Sequence, residues 1–401
     1  MLRRQPPVHS PTGLRALVAG AAGAAGLAAH QTLTRRISEH WNARNVLLTS
    51  SGTVALSLAM RAWSRAGHKL IALPAYGCFD LATAADGADV RIVLYDVDPT
   101  SLAPDVDSLR RALEREPAAL VLAHLYGIPL NVPELARQAA DRGVAVIEDA
   151  AQAIGAETGG RAAGSFGSVS LLSFGRGKGL TGGSGGALLS HDDAGDRALA
   201  GARSLVEKSS AGWSDVARAG IQWIFGRPAL YALPSALPFL RLGETVYRAP
   251  EPVHGLSRAA GRMVLENWAA ALSAVSHRRR VAARLQAAAR QWDTWRTFVL
   301  PAGRTGGYLR FPLLAEVDVR SVLNDGEARR LGIASSYPAP LNRLPGFASR
   351  CINANEQFPG AEHLAARLFT LPAHELLTQH DLSALERWLA QTAASLRGKS
   401  V

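Results

Sequence analysis

Residues 144–152 read Val-Ala-Val-Ile-Glu-Asp-Ala-Ala-Gln, a short apolar run that ends in two carboxylates. Similar apolar runs alternate with helical stretches from residue 46 to residue 181, a pattern typical of a mostly parallel sheet covered on both faces. The predicted strands are Val46–Leu48, Leu70–Leu73, Arg91–Tyr95, Ala119–Ala123, Val144–Ile147 and Val169–Phe174. The predicted helices between them include Thr53–Arg65, Val106–Glu114 and Val132–Arg142. The sequence therefore predicts an α/β fold.

Composition excludes several classes of protein. The chain has 401 residues, a formal net charge of +11, 48% hydrophobic residues and 19% charged residues. This much apolar surface excludes a disordered or collagen-like chain. The two cysteines, Cys78 and Cys351, are too few for a disulfide scaffold and lack the spacing of a zinc site. We therefore expect no metal centre and a reducing, cytoplasmic location.

Arginine carries almost all of the positive charge, because the only lysines are Lys69, Lys178, Lys208 and Lys399. The arginines lie at helical spacings, as in residues 278–284, without interleaved aromatic residues or a nucleic-acid-binding motif. A basic surface also suits polyphosphate substrates or anionic membranes. We therefore expect no nucleic-acid partner.

The N-terminus superficially resembles a signal peptide, since Arg3 and Arg4 precede an apolar run at Ala16–Ala29. Two prolines separate the charges from the run, and the run is shorter than the ~20 residues that span a bilayer. The favoured interpretation is a small-residue helix that packs on the body of the protein, with Ser10 or Thr12 as its N-cap.

Three regions are predicted: an N-terminal segment at residues 1–40, a large α/β domain at 41–255 and a smaller α+β domain at 256–401. The large domain includes an apolar insertion at about residues 216–245, in which Pro228–Leu240 is uncharged and contains three prolines. Prolines exclude one long helix here. The predicted segments of the small domain are Arg262–Gln291, Gly307–Pro312, Val317–Leu331, Ile333–Tyr337 and Ser383–Arg397.

The apolar insertion has two interpretations. It is either a buried loop at a subunit interface or a hairpin that touches the membrane surface, flanked by Arg218, Arg227 and Arg241. The interface loop is favoured, and peripheral membrane contact is the second choice.

Thr49-Ser50-Ser51-Gly52-Thr53 follows the first predicted strand and begins a helix. Backbone N–H groups at such a helix N-terminus suit an anion such as phosphate. Ordinary helix capping by Ser or Thr explains the same pattern.

The carboxylates Glu148 and Asp149 end the fifth predicted strand. In open α/β sheets ligands bind at the carboxyl ends of strands, so one of these groups is well placed to hold a positively charged ring nitrogen. The alternative is a helix cap at Asp149 beside a solvent-exposed Glu148.

Lys178 lies in a glycine-rich loop, residues 173–186, directly after a predicted strand. The spacing matches neither a phosphate-binding Gly-x-x-x-x-Gly-Lys loop nor a dinucleotide-binding motif. A lysine can lose its proton in a tuned site and attack an aldehyde, which arginine cannot do, so Schiff-base chemistry competes with a solvent-exposed loop lysine.

Together these stretches resemble the DegT/DnrJ/StrS family of sugar aminotransferases, which are fold-type-I enzymes that use pyridoxal 5'-phosphate (PLP). The resemblance runs from Leu47 to the C-terminus. It rests on TSSGTVAL (49–56), LPAY (73–76), YDVDP (95–99), HLYG (124–127), IEDAAQA (147–153), GSFG (164–167), SF (173–174), Lys178, YPAPL (337–341) and LPAH (371–374).

The resemblance implies a role for each matching residue. Lys178 matches the lysine that joins PLP and moves the proton between substrate and cofactor. Asp149 matches the acid that keeps the pyridine nitrogen protonated, and Gln152 matches a residue near the phenolic oxygen of the cofactor. The residues that match phosphate contacts are Gly52, Thr53 and Ser173.

Some positions depart from the family. Cys78 stands where many members place an aromatic ring over the cofactor, so Tyr76, Cys78 and Phe79 are all candidates for the stacking residue. Ser184 replaces the usual acidic residue after the lysine. The segment Ala260–Met263 lacks the asparagine with which many members reach the phosphate of the partner subunit.

The resemblance implies a homodimeric PLP-dependent aminotransferase that transfers an amino group from glutamate to a nucleotide-activated keto-sugar, in polysaccharide or glycoconjugate biosynthesis. A PLP enzyme of the same fold that acts on a lipid-linked or non-sugar ketone is one alternative. The other is a catalytically silent PLP-binding regulatory protein, against which the presence of both Lys178 and Asp149 argues.

Overall fold

A computed structural model describes residues 3–64, 68–236, 246–323 and 326–397. Its strands form one large sheet and two smaller ones. In chain order they are β1 (Asn45–Thr49), β2 (Leu70–Pro74), β3 (Arg91–Tyr95), β4 (Ala119–Ala123), β5 (Ala145–Asp149), β6 (Glu157–Thr158), β7 (Arg161–Ala162), β8 (Val169–Ser173), β9 (Gly186–Ser190), β10 (Trp295–Thr297), β11 (Arg304–Thr305), β12 (Phe311–Ala315), β13 (Ala334–Ser335) and β14 (Leu368–Leu371).

The large sheet has the strand order β1-β9-β8-β5-β4-β2-β3. Its pairs from β8 to β3 are parallel, and β9 is the strand that runs opposite to both of its neighbours. The predicted α/β fold with a mostly parallel sheet is confirmed. The parallel order places the carboxyl ends of β5 and β8 side by side, and these ends carry Asp149 and Ser173.

Helices cover both faces of the large sheet. In chain order, the helices of the described residues are α1 (Leu14–Ala24), α2 (His30–Trp41), α3 (Gly52–Trp63), α4 (Asp80–Ala88), α5 (Val106–Leu113), α6 (Val132–Ala140), α7 (Asp193–Arg203), α8 (Trp213–Phe225), α9 (Ala232–Ser235), α10 (Arg258–Ala289), α11 (Val319–Leu323), α12 (Gly326–Arg330), α13 (Pro359–Arg367) and α14 (Gln379–Arg397). Alternate residues of one strand enter opposite cores: Ile71 and Leu73 face one, and Ala72 faces the other. Burial on both faces explains why these strands are continuously apolar.

The C-terminal part has its own core around an antiparallel sheet of order β10-β12-β14-β13. Trp295, Phe369 and Trp388 pack together in this core. The predicted segment Gly307–Pro312 overlaps an observed strand only at its end, because β12 begins at Phe311 and continues to Ala315. The predicted segment Val317–Leu331 contains two short helices, α11 and α12. The domain boundaries at residues 41 and 256 stay predictions.

The N-terminal helix α1 packs along α10. A Cβ atom at Gly23 would lie 2.7 Å from the carbonyl oxygen of Arg258, so only a glycine permits this close approach. The predicted caps are wrong, because Gly13 occupies the N-cap position and no side chain caps the helix. Ser10 and Thr12 instead contact other parts of the chain, as described below.

The apolar insertion contains α8, which packs against α1 and α10. Ile221 on α8 and Val18 on α1 leave about the same large fraction of their surfaces exposed, 60% and 63%. Residues 237–245 of the insertion, including Arg241, lie outside the described residues, and so do the predictions made for them. No helix within the described ranges is long and apolar enough to cross a bilayer.

Candidate active site

Lys178 lies in the loop between β8 and β9. The loop turns on glycines with positive φ, among them Gly177 at 77° and Gly183 at 79°, which residues with a Cβ rarely adopt. Inside the loop, the Thr181 hydroxyl donates to the carbonyl oxygen of Phe174 and accepts from the N–H of Gly183, each at 3.0 Å. These bonds fix the backbone on both sides of a partly exposed Lys178.

Two elements outside the sheet hold this loop. Asn267 of α10 donates from its side-chain amide to the carbonyl oxygen of Thr181 at 2.9 Å. From the N-terminal segment, the Ser10 hydroxyl accepts from the N–H of Gly177 at 2.9 Å, and the Thr12 hydroxyl contacts the Asn267 amide at 3.2 Å. The segment that precedes α1 therefore reaches the residue next to Lys178.

Asp149 ends β5, the neighbour of β8. Burial raises the pKa of its carboxyl group, whereas the N–H of Ala151 and the ammonium of Lys178 act to lower that pKa. Its Oδ1 accepts from the Ala151 N–H at 2.9 Å. Asp149 therefore accepts a local capping hydrogen bond, as one of the predicted alternatives proposed, and its carboxylate also interacts electrostatically with Lys178.

Glu148 differs from its predicted alternative, because it is fully buried rather than exposed to solvent. It accepts from Nε2 of His124 at 2.9 Å and from the N–H groups of Gly164, Phe166 and Gly167 at 2.7–3.1 Å. Burial alone would raise its pKa, but these donors outweigh burial and hold the pKa below its usual range. Glu148 thus ties the turn at residues 164–167 to the sheet.

The N-terminus of α3 lies against the end of β8. Ser51 caps the helix by accepting from the N–H of Val54 at 3.1 Å. A Cβ atom at Gly52 would lie 2.6 Å from Cβ of Ser173, so the two predicted phosphate residues are in close contact, and Thr53 follows in the first turn. The buried hydroxyl of Ser50 has no hydrogen-bond partner among the described residues. This corner therefore offers backbone N–H groups and hydroxyls to an anion.

Gln152 connects the end of β5 to a cluster of tyrosines. Its Oε1 accepts from the N–H of Tyr126 at 3.0 Å, and its Nε2 donates to the hydroxyl of Tyr337 at 2.8 Å. Tyr126 has a φ of 58°, which is uncommon for a residue with a side chain and is often found at functional sites. The rings of Tyr126 and Tyr337 stack with centroids 5.8 Å apart.

The three candidates for a stacking residue lie in different surroundings. Tyr76 is fully buried, and its hydroxyl donates to Ser336 at 2.8 Å. Phe79 is part of the main hydrophobic core. Burial raises the pKa of the Cys78 thiol, and Lys178 acts to lower it, which places Cys78 near the lysine. The choice among the three stays open.

Sequence reasoning missed three features of this site: the His124–Glu148 pair, the role of Tyr126 and Tyr337 around Gln152, and the buried guanidinium of Arg310. His124, Tyr126 and Tyr337 stand within motifs that carry the family resemblance, so that signal was available. No pattern in the sequence distinguishes Arg310 from the other arginines.

The fold and this arrangement of lysine, carboxylate and helix N-terminus define a fold-type-I aminotransferase. The structure superimposes on that of the aminotransferase TlmJ from Streptoalloteichus hindustanus with a TM-score of 0.76, at 24% identity, over 98% of this chain and 100% of that one. The model of the DegT/DnrJ/EryC1/StrS aminotransferase family matches residues 24–212 and 257–386, and the chain belongs to this family of PLP-dependent enzymes. The predicted family and enzyme class are therefore confirmed.

Two relatives with assigned activities illustrate the range of substrates. The chain is 27% identical to a UDP-N-acetyl-3-dehydro-alpha-D-glucosamine 3-aminotransferase of Acidithiobacillus ferrooxidans over 86% of this chain and 83% of that protein. It is 33% identical to an L-glutamine:2-deoxy-scyllo-inosose aminotransferase of Streptomyces kanamyceticus over 41% of this chain, a match that spans only 38% of that relative's length. The family match excludes residues 213–256, which contain α8.

Proposed function

We propose that this protein is a PLP-dependent aminotransferase that transfers an amino group from glutamate to a nucleotide-activated keto-sugar. The observation that carries the proposal is the position of Asp149 at the end of β5 and of Lys178 in the loop that follows the adjacent strand β8, close enough for the lysine charge to act on the carboxylate. A polysaccharide or glycoconjugate product follows from the same class of substrate.

The residues present fit PLP. The buried, unpartnered hydroxyl of Ser50 and the close contact of Gly52 with Ser173 leave a small-residue corner for its phosphate at the N-terminus of α3, where Thr53 adds a hydroxyl. Asp149 supplies an anion for the ring nitrogen, and Gln152 lies three residues farther along the chain. When bound, PLP supplies the electron sink that stabilises negative charge on the substrate carbon.

The chain's own residues then have separate tasks. The carboxylate of Asp149 holds a proton on a positively charged ring nitrogen through a charge-assisted hydrogen bond. Nζ of Lys178 is the nucleophile and the group that moves a proton to and from the substrate carbon. The hydrogen bonds of Thr181, Asn267 and Ser10 keep the lysine loop in place.

The substrate class is supported by the relatives. The Acidithiobacillus relative is named for a UDP-linked keto-sugar, and a Saccharopolyspora spinosa relative, 26% identical over 83% of this chain, is named for a dTDP-linked one. A net charge of +11 suits a diphosphate-bearing substrate. Because one relative is named for glutamine as its donor, glutamate and glutamine should be compared.

A lipid-linked or non-sugar ketone is the second candidate substrate, and one observation favours the lipid-linked one. The exposed apolar residues of α8, among them Trp213 and Ile221, lie in the part of the chain that the family match excludes. A lipid-linked ketone would suit such a surface. Turnover of lipid-linked but not nucleotide-linked ketones would favour this candidate.

We further propose a homodimer in the cytoplasm. Active sites shared between subunits are implied by the family resemblance, and both cysteines are free thiols, which supports a reducing compartment. The mass of the purified protein in solution tests the dimer.

The experiment that tests the function uses the purified protein loaded with PLP. We expect a yellow protein whose colour is lost on borohydride treatment, with the reduced cofactor covalently attached to Lys178. Lys178→Ala should abolish turnover of nucleotide keto-sugars, because it removes both the nucleophile and the proton carrier. A colourless protein, or attachment to Lys69 or Lys208, would overturn the assignment.

A further inference from the structure

Arg310 is buried in an unusual way. It immediately precedes β12, and its Nε and Nη2 atoms are inaccessible to solvent without a hydrogen-bond partner in the described ranges. A buried charge normally has a counter-ion or a full set of hydrogen bonds, because its removal from water costs several kcal/mol. Two of the three guanidinium nitrogens therefore have no hydrogen-bond partner among the described residues.

The described groups that act most strongly on the pKa of Arg310 are tyrosines, not carboxylates. After burial, the groups with the largest effects on its pKa are Tyr126, Tyr337, Tyr231 and Tyr76. Burial raises the pKa of all four hydroxyls, that of Tyr76 to about 12, so each is neutral at physiological pH. The hydroxyls of Tyr76 and Tyr126 are also engaged with Ser336.

Two other arginines show that this chain can provide hydrogen-bond acceptors for a buried or half-buried guanidinium. Arg278 of α10 donates to the carbonyl oxygens of Gly307 and Ile154 at 2.8 and 3.0 Å, and Arg279 donates to those of Gly306 and Gly155. These bonds fasten the turn that leads into β12. Nε and Nη2 of Arg310, three residues after Gly307, have no such partner among the described residues.

The tyrosines around Arg310 also line the candidate active site. The hydroxyl of Tyr337 accepts a hydrogen bond from Gln152. Cys78 interacts electrostatically with both Lys178 and Tyr337. The rings of Tyr76 and Tyr337 are 5.4 Å apart. Arg310 therefore belongs to the same polar cluster as the residues next to the lysine.

We propose that Arg310 binds an oxyanion of the substrate, a carboxylate or a phosphate, and so determines substrate specificity. A guanidinium pairs with either group through two parallel hydrogen bonds, and the tyrosine surroundings strengthen such a pair by excluding water. This inference rests on the proposed function, which provides two sources of an oxyanion: the carboxylate of the amino donor and the diphosphate of the acceptor.

The test compares Arg310→Gln and Arg310→Lys in the full-length protein, with Arg296→Gln as a control that removes one exposed arginine of the same sheet. One arm measures the glutamate concentration that half-saturates bleaching of the PLP-loaded protein. The other arm measures the dissociation constant of inorganic pyrophosphate. Arg310→Gln should raise one of these two values, the half-saturating glutamate concentration or the dissociation constant of pyrophosphate, by about 30-fold or more, as loss of a buried charge pair does. Arg310→Lys should raise the same value less.

The value that changes identifies the source of the oxyanion. A change with glutamate assigns Arg310 to the donor carboxylate, and a change with pyrophosphate assigns it to the acceptor phosphate. An unchanged result in both arms would overturn the proposal. Arg310→Met separates binding from a structural role, because the ligand-free variant should have a melting temperature no lower than that of the parent once the unpaired charge is gone. A lower melting temperature together with two unchanged arms would show that Arg310 is structural.

Failure of the proposed function can be distinguished from failure of this inference. If PLP does not attach to Lys178, the function fails, but calorimetry with glutarate and pyrophosphate on the cofactor-free protein still tests Arg310. Binding of either anion that is lost in Arg310→Gln and kept in Arg296→Gln would support the anion site. Equal binding by all three proteins would contradict it.

Discussion

At the scale of single residues, Glu148 and Asp149 show how two adjacent carboxylates acquire different roles. Because side chains alternate along a strand, they point to opposite faces of the sheet. Glu148 is fully buried beside His124, whereas Asp149 remains partly exposed at the strand end and interacts with Lys178. The residue types alone mark the pair as chemically interesting, and the family resemblance selects Asp149. The three-dimensional arrangement adds that Asp149 interacts with the lysine while Glu148 is buried on the other side.

Asp149→Asn should lower the rate of transamination by orders of magnitude, because the amide keeps the shape but cannot stabilise a protonated ring nitrogen. Since burial raises the pKa of Asp149, its ionised form is disfavoured by folding, and the cofactor-free variant should melt no lower than the parent. Steady-state rates and thermal melts check both expectations. Near-normal rates would limit Asp149 to capping the turn at Ala151.

Glu148→Gln should lower the free energy of unfolding at pH 7 by about 3 kcal/mol, because it removes the charge that accepts four buried hydrogen bonds. Glu362→Gln, at an exposed ion pair, is the matched control and should change it by less than about 0.5 kcal/mol. Denaturant titrations measure both values. Equal stability of the two variants would show that the buried network contributes little.

The buried carboxylate of Glu148 also predicts how the stability of the folded protein depends on pH. The folded protein holds the pKa of Glu148 below its usual range, so its stabilising contribution is present above the unfolded pKa of about 4.3 and is lost as the pH falls through the folded pKa. The parent should therefore lose stability below about pH 4.3 more steeply than Glu148→Gln. Parallel acid-unfolding curves would contradict this assignment.

At the scale of elements, the contact between α3 and β8 depends on Gly52. A Cβ atom there would meet Ser173, so Gly52→Ala should displace the helix N-terminus and weaken PLP binding by roughly tenfold or more, equivalent to about 1.4 kcal/mol. Gly201→Ala in α7 is the control, because nothing lies within 4 Å of its added Cβ and alanine favours a helix. PLP titrations followed by absorbance test this pair; equal affinities would exclude Gly52 from the phosphate corner.

The elements that the sequence predicts best are those buried on both faces. Ala119–Ala123 and Arg91–Tyr95 match the observed strands at both ends, because continuous apolar runs have few alternatives. Helix α4 was not predicted, since it is buried on most sides and its small residues show no amphipathic period. The predicted segment Gly307–Pro312 stops short of most of β12, and Pro312 lies within that strand, although prolines usually lie at the edges or ends of strands.

The candidate site was predictable to the extent that it lies in local motifs. Lys178 and Asp149 stand in short, recognisable segments at strand ends. The contact of Ser10 with Gly177 joins residues 167 positions apart, and Arg310 is defined by tyrosines from several distant segments. Such features depend on how elements pack together, which no local pattern encodes.

At the scale of the whole molecule, two of the segments outside the family match contact each other. Helix α1, nearly all of which precedes the matched residues, packs against α8, which lies between the two matched ranges. Together they expose apolar side chains: Leu14, Val18, Trp213, Ile221, Ile224 and Phe225. Exposed apolar side chains on two helices that contact each other are the kind that proteins usually cover, and a second copy of this chain is the predicted partner.

Replacement of Ile221 and Phe225 by Ser should therefore convert the predicted dimer to monomers, because it removes apolar area from the centre of the contact. Phe239, in the uncharged stretch Pro228–Leu240, lies outside the described residues. Val106→Ser is the matched control, since Val106 is 76% exposed on α5, away from this surface. Sedimentation velocity measures the mass of each variant.

The lipid experiment separates the two interpretations of this surface. If it covers a second subunit, the double variant should halve the mass whether or not lipid is present. The double variant should also retain PLP less well, because α1 continues from the segment in which Ser10 accepts from the N–H next to Lys178.

If this surface instead binds membranes, the mass of the double variant should stay unchanged, but its sedimentation with anionic liposomes should be lost. Liposome binding by the parent should also weaken as salt screens Arg218 and Arg227. An unchanged mass together with unchanged lipid binding would exclude both interpretations and leave these side chains as isolated exposed residues, which are common on monomeric proteins.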